Sequence, residues 1–198
     1  MDPIVEAALK KWPNVPHCYG WLALDARGDW YMRDERIQAA GPFPQVKGSR
    51  ITHDKLIGFI HRNYASDAQG CWFFQNGPQR VYVQLEAAPW IWRLQPDGRV
   101  LSHTGQEAQI ESAWLDEQDR LFLVADLGLG LVHTQDMGPA ADAIEAGQWT
   151  VEPTTHRALL SRCAVALEPQ PMMGAPGPAA GSGSVAGSAA TKGPTPAG

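Results

Sequence analysis

Asp126, His133 and Asp136 lie within eleven residues around the run Leu127-Gly-Leu-Gly-Leu-Val132, and they offer the richest chemistry in the chain. A carboxylate that orients an imidazole is the minimum of a general-base device, and two carboxylates with one histidine can hold a metal. Neither an H-x-E nor an H-E-x-x-H spacing accompanies them, so no metal or other cofactor is expected. The competing reading is structural: His133-Thr-Gln-Asp136 supplies turn and N-cap side chains just ahead of Pro139. The three residues therefore stand as catalytic candidates without an assigned reaction.

Three further features carry possible chemistry. Cys18 follows His17, and a thiolate beside an imidazole can act as a nucleophile. Neighbours in an extended segment point to opposite sides, however, so His17 would not activate Cys18 directly. Trp90 and Trp92 are two apart in a strand and share a face with Leu94, which makes them core residues or one aromatic wall of a ligand cleft. Gly128-x-Gly130 follows a plausible strand, yet His133 stands where a dinucleotide fingerprint needs its third glycine. Glycines that let a strand or a side chain approach closely account better for the pair. A Walker-type phosphate loop and a G-x-S-x-G elbow are both missing from the sequence.

These residues are positioned by a succession of hairpins. Asp2-Pro3 starts a short amphipathic helix over residues 3 to 12, with Ile4, Val5, Ala8, Leu9 and Trp12 on one face. Tyr19 to Asp25 and Asp29 to Asp34 read as strands joined at Ala26-Arg27-Gly28. Residues 38 to 49, rich in Gly and Pro, read as loop. Thr52 is expected to cap a helix of residues 53 to 64, in which Leu56, Ile57, Phe59, Ile60 and Tyr64 form the apolar stripe. Cys71 to Gln75 and Arg80 to Leu85 flank Asn76-Gly77-Pro78. Trp90 to Gln95 and Arg99 to His103 flank Pro96-Asp97-Gly98, the strongest turn signal in the chain. Ile110 to Leu115 and Arg120 to Asp126 flank Asp116-Glu-Gln-Asp119, and Leu127 to Val132 forms another strand. A helix is expected from Gly138-Pro139 to about Gly147. Trp149 to Glu152 and Cys163 to Leu167 can return to the sheet, while residues 155 to 164 fit helix as well as strand.

The composition is that of a globular chain: 198 residues, 44% apolar and 19% charged, with eight tryptophans. From Pro169 onward it changes to Pro, Gly, Ala and Ser, which cannot offset ordering entropy and is expected to be a disordered tail. Lys192 is the only charge in that tail, so residues 1 to 168 hold 15 Lys and Arg against 21 Asp and Glu. That acidic balance argues against a nucleic-acid partner. One basic stretch, Lys47, Arg50, Lys55 and Arg62 with His53 and His61, reads as the solvated face of a helix and the loop before it; an anionic-ligand patch is the alternative. Cys18, Cys71 and Cys163 are odd in number and have no C-x-x-C, so neither a disulfide framework nor a zinc knuckle is signalled. No secretory signal and no run of membrane-spanning length is present in the sequence, which points to the cytoplasm and no membrane partner.

The stretches Trp12-Pro-Asn-Val-Pro-His-Cys-Tyr-Gly-Trp-Leu-Ala-Leu-Asp, Gly70-Cys-Trp-Phe-Phe-Gln-Asn-Gly-Pro-Gln-Arg-Val-Tyr-Val and Asp126-Leu-Gly-Leu-Gly-Leu-Val-His-Thr-Gln-Asp-Met resemble an uncharacterised proteobacterial family of unknown function. The resemblance spans roughly residues 10 to 165 and implies a bacterial cytosolic protein; it carries no activity or site residue with it. The reading as a whole is α+β, with one domain over residues 1 to 168. It expects a mostly antiparallel meander sheet of about seven to nine strands, two or three short helices, and the tail of residues 169 to 198. The leading function is a non-enzymatic binding or accessory domain for a small molecule or protein partner, with His17, Trp90 and Trp92 as binding candidates. The alternative is a small hydrolase-like or metal-dependent enzyme that uses Asp126, His133 and Asp136.

Overall fold

One kind of hairpin turn recurs five times and fixes much of the strand pairing. In the computed structural model, which describes residues 1–171, Asp25–Asp29, Asp67–Cys71, Gln95–Arg99, Ser102–Gln106 and Asp116–Arg120 have the same backbone pattern. In each, the fourth residue donates its N–H to the carbonyl of the first, and the first donates its own to the carbonyl of the fifth. The fourth position is left-handed throughout: Gly28 (φ 83°), Gly70 (74°), Gly98 (85°), Gly105 (84°) and Asp119 (57°). This is a type I turn closed by a bulge, and it suits the right-handed twist of the flanking strands. Three of the five begin with aspartate. One oxygen of Asp25, Asp67 and Asp116 accepts from the backbone N–H groups two and four residues on. At Gly98 an added Cβ would meet nothing within 4 Å, so Gly98→Ala isolates the conformational term. It should cost about 1 kcal/mol, measured by urea denaturation; a variant as stable as wild type would contradict the left-handed turn.

The elements run α1 (Pro3–Lys11), β1 (Cys18–Leu24), β2 (Trp30–Met32), α2 (Glu35–Ala40), β3 (Ser49–Arg50), α3 (Asp54–Arg62), β4 (Tyr64–Ser66), β5 (Trp72–Asn76), β6 (Gln79–Leu85) and β7 (Trp90–Leu94). They continue with β8 (Val100–Ser102), β9 (Glu107–Ala108), β10 (Ile110–Leu115), β11 (Leu121–Ala125), β12 (Gly128–Val132), a 3-10 turn (Thr134–Asp136), α4 (Met137–Glu145), β13 (Val151–Pro153) and α5 (His156–Arg162).

The strands form two sheets. One has the order β3-β2-β1-β6-β5-β4 and the other β13-β10-β11-β12-β7-β8-β9. Apart from β13 the two orders are the same pattern: the first strand of each half lies beside its sixth. These central pairs, β1 with β6 and β7 with β12, are parallel, as is β10 with β13. The architecture is thus α+β as the run of helices and hairpins suggests, but it is two mixed sheets rather than one antiparallel meander. Hairpins announce themselves locally through their turns, whereas a parallel pair joins segments tens of residues apart and leaves no turn to read.

The main core fills the space between the sheets, with Leu24, Trp30, Ile60, Trp92, Leu121 and Leu123 all but sealed from water. A second cluster, including Ile91, Phe122, Leu129 and Leu159, lies on the outer face of the second sheet under α5. The ambiguous residues 155 to 164 are therefore largely helical, capped by Thr155, whose hydroxyl accepts from Ala158 N–H at 3.2 Å. Burial on both faces explains the continuous apolar run of β12, the expected signature of a central parallel strand.

Smaller differences have equally local causes. His53, not Thr52, caps α3, its Nδ1 accepting from Leu56 N–H. That helix stops at Arg62 and Tyr64 opens β4, where its ring packs edge-on against Trp30 and Trp90. Helix α2 occupies part of the expected loop because Asp34 caps it through Ile37 N–H. The expected tail lies, from residue 172 on, outside the described residues. No helix among the described residues is long and apolar enough to cross a membrane.

Candidate functional site

The candidate catalytic residues do not form one device. One oxygen of Asp126 closes a turn: Oδ1 accepts from Gln109 N–H (2.9 Å) and Leu127 N–H (3.0 Å). Asp136 turns to Arg93 instead of His133. Its Oδ2 lies 2.6 Å from Arg93 Nε and 3.1 Å from Leu94 N, and Oδ1 is 3.3 Å from Arg93 NH2. Among the described residues no carboxylate orients the His133 imidazole. His133 Nδ1 accepts from Gln135 N–H at 3.1 Å, which caps the 3-10 turn.

The other candidates are scattered. Trp90 and Trp92 are both buried, stacked at 6.2 Å, and donate their indole N–H groups to the carbonyls of Leu127 (2.7 Å) and Leu123 (2.9 Å). Cys18 is half-buried and burial pushes its thiol pKa up, away from a reactive thiolate. His17 meets the edge of Tyr82 at 5.7 Å, and burial, then the charge of Arg80, lowers its pKa. Among the described residues no group of three or more His, Cys, Asp or Glu is placed to hold a metal ion.

What does converge lies where the two sheets meet. A polar cleft of about 330 Å³ is lined by Arg27, Asp29, Arg50, Arg93, His133, Thr134 and Gln135. Arg27 and Asp29 come from the β1–β2 turn, and Arg50 from β3. Arg93 comes from β7, and His133 with the residues after it from the end of β12. Three arginines thus line a cleft whose own wall holds a single carboxylate.

The internal wiring leaves donors free. Arg50 is tied to Asp29 at 2.6 Å and Arg93 to Asp136. Among the described residues the Arg27 guanidinium, which is exposed, has no hydrogen-bond or ion-pair partner. His133 is only 7% exposed. Because its Nδ1 is an acceptor, the neutral ring carries its proton on Nε2, and that N–H has no protein acceptor among the described residues. Burial lowers the His133 pKa, and the charges of Arg93 and Arg27 lower it further against the opposing Asp136. The ring is therefore a neutral donor at neutral pH, surrounded by fixed positive charge.

Arg27 and Arg93 carry no motif in the sequence, since an arginine in a turn and another on an alternating strand are ordinary surface residues. The basic stretch was a partial signal. It divides in the fold: Arg50 joins the cleft and Lys47 its continuation. Arg62 pairs instead with Asp2 at 3.2 Å, and Lys55 stays exposed on α3.

The fold is α+β, with two mixed sheets and a donor-rich cleft at their junction. The chain belongs to the family DUF2944, described as "Protein of unknown function (DUF2946)", which it matches over residues 1–172. Two solved structures are similar in part. A DUF1285 family protein from Silicibacter pomeroyi DSS-3 is 11% identical, with a TM-score of 0.45 over 72% of this chain and 84% of that one. A DUF1285 family protein from Shewanella baltica OS155 is 18% identical, with a TM-score of 0.42 over 62% of this chain and 91% of that one. No curated protein matches the chain.

Proposed function

We propose that residues 1 to 168 act as one non-enzymatic binding domain of the cytoplasm, and that its ligand is a small anion held in the cleft of Arg27, Arg50, Arg93 and His133. The observation that carries this reading is the His133 ring. It is more than nine-tenths buried and locked in one tautomer by Gln135 N–H, and it lines the cleft with an Nε2–H that has no acceptor among the described residues. The Nε2–H is reachable from the cleft, and an oxyanion seated among the arginines would accept from it with charge-assisted geometry. Arg27 adds a charge that no carboxylate among the described residues pairs with.

Inorganic phosphate is the simplest probe. Against sodium chloride of matched ionic strength, phosphate should raise the melting temperature of the wild-type protein in a saturable way. Arg27→Gln touches no partner in the fold, so it should melt like wild type without phosphate. Its phosphate affinity should fall about tenfold, corresponding to about 1.4 kcal/mol. A wild-type protein indifferent to phosphate, or an Arg27→Gln protein that responds as strongly, would overturn the reading.

A further inference from the structure

The cleft continues past its arginines. Arg27, Asp29, Arg50 and Thr134 also line a second compartment of about 450 Å³, whose far wall is formed by Asp25, Tyr31, Lys47 and Glu86. The charge changes along this path. The His133 end sets three arginines against one aspartate, whereas the far end balances Arg27, Lys47 and Arg50 with Asp25, Asp29 and Glu86.

The second compartment holds two unused acceptors. Glu86 Oε2 takes Lys47 Nζ at 3.1 Å and Ala26 N–H at 3.2 Å, which leaves Oε1 unpaired. Asp29 Oδ1 holds Arg50, which leaves Oδ2 unpaired. Asp25 is fully engaged: Oδ2 accepts from Lys47 (2.9 Å) and from the Tyr31 hydroxyl (3.2 Å), while Oδ1 closes the β1–β2 turn. Lys47 is thereby fixed as a strut between Asp25 and Glu86 and is no longer a free cation.

We propose that the ligand is a phosphate monoester of a hydroxylated body, a sugar or polyol phosphate. The proposal rests on the anion reading above. The phosphate sits at the His133 end, where guanidinium forks and the imidazole N–H meet its three terminal oxygens, more acceptors than a carboxylate offers. The hydroxyl groups lie along the second compartment and donate to Glu86 Oε1 and Asp29 Oδ2. An apolar body is disfavoured there, because it would strip water from those oxygens and return no hydrogen bond.

The test is calorimetric titration of the full chain with three probes: inorganic phosphate, ribose 5-phosphate and ribose. Ribose 5-phosphate should bind at least tenfold tighter than inorganic phosphate, and ribose alone should give no measurable heat. Glu86→Ala should remove most of that tenfold gain and leave the affinity for inorganic phosphate unreduced. Asp29→Asn serves as the second variant if Glu86→Ala fails to fold, and it should lower the gain in the same sense. Phosphate binding with no gain from ribose would overturn the proposal and leave the anion reading standing. A gain that survives both substitutions would overturn the assigned positions of the hydroxyl groups. Silence toward both phosphate and ribose 5-phosphate would overturn both readings.

Discussion

Gly130→Ala should lower stability by about 3 kcal/mol or more, an effect larger than most single substitutions produce. Gly130 sits in β12 beside Trp90 and Leu123. A Cβ added there would run into the indole of Trp92 and stand 2.8 Å from Trp90 Cβ. Neither neighbour can yield. Trp92 is completely buried and its Nε1 donates to Leu123 O at 2.9 Å, so displacing the ring would strain the core and break that bond together. The glycine therefore serves close side-chain approach, which is why the Gly128-x-Gly130 pair resembles a dinucleotide loop without being one. Gly58→Ala is the control, since the residue lies in α3 and a Cβ there meets only the tip of the flexible Arg62 side chain. Its stability should hold or rise, because alanine favours helix over glycine. Chemical denaturation of both variants decides the point, and a Gly130→Ala protein within about 1 kcal/mol of wild type would contradict the packing.

Acid should destabilise the protein through His103. Its ring sits among Trp30, His61, Tyr64 and Trp90, with centroids 5.8, 5.5, 6.1 and 5.8 Å away. Part of the residue remains accessible, but the ring nitrogens do not: Nδ1 accepts from Ile91 N–H, and Nε2 is buried without a partner. Burial, helped by the neighbouring His61, lowers its pKa to about 3. The folded value lies below the unfolded one of about 6.5, so the neutral ring contributes its full stability above pH 6.5 and loses it as pH falls toward 3. At pH 5 the loss should reach about 2 kcal/mol. His61, whose pKa burial also lowers, adds to the slope. Unfolding free energies across this window should therefore fall more steeply for wild type than for His103→Phe. Parallel curves for the two proteins would show that His103 is already charged or solvated in the fold.

The hairpins were legible because their cause is local. Asp25-Ala-Arg-Gly28 and Pro96-Asp97-Gly98 specify a left-handed fourth position by residue type, and alternation in the flanking strands does the rest. The parallel pairs were not legible, because β1 and β6 pair directly across tens of residues of sequence and no turn joins them. The continuous apolar runs Trp90-Ile-Trp92 and Leu129-Gly-Leu-Val132 held the missing information, as two-sided burial needs apolar residues on both faces. The site was legible by half. His133 stood out through its neighbours, but those neighbours proved to be capping groups and partners of Arg93. Arg27 and Arg93 reach the cleft through tertiary structure alone, and Lys47 and Arg50 part from Lys55 and Arg62 only once β3 pairs with β2.

The account rests on His133 and Arg27 as donors to an anion, and NMR of ¹⁵N-labelled protein titrated with inorganic phosphate at constant ionic strength tests it most directly. Saturable shifts should centre on the His133 ring nitrogens, the side chains of Arg27, Arg50 and Arg93, and the backbone amides of residues 27–29 and 133–135. The His133 Nε2 resonance should report a protonated nitrogen throughout. Shifts that never saturate, or that centre on Lys55 and Arg62 of α3, would contradict the assignment of the cleft.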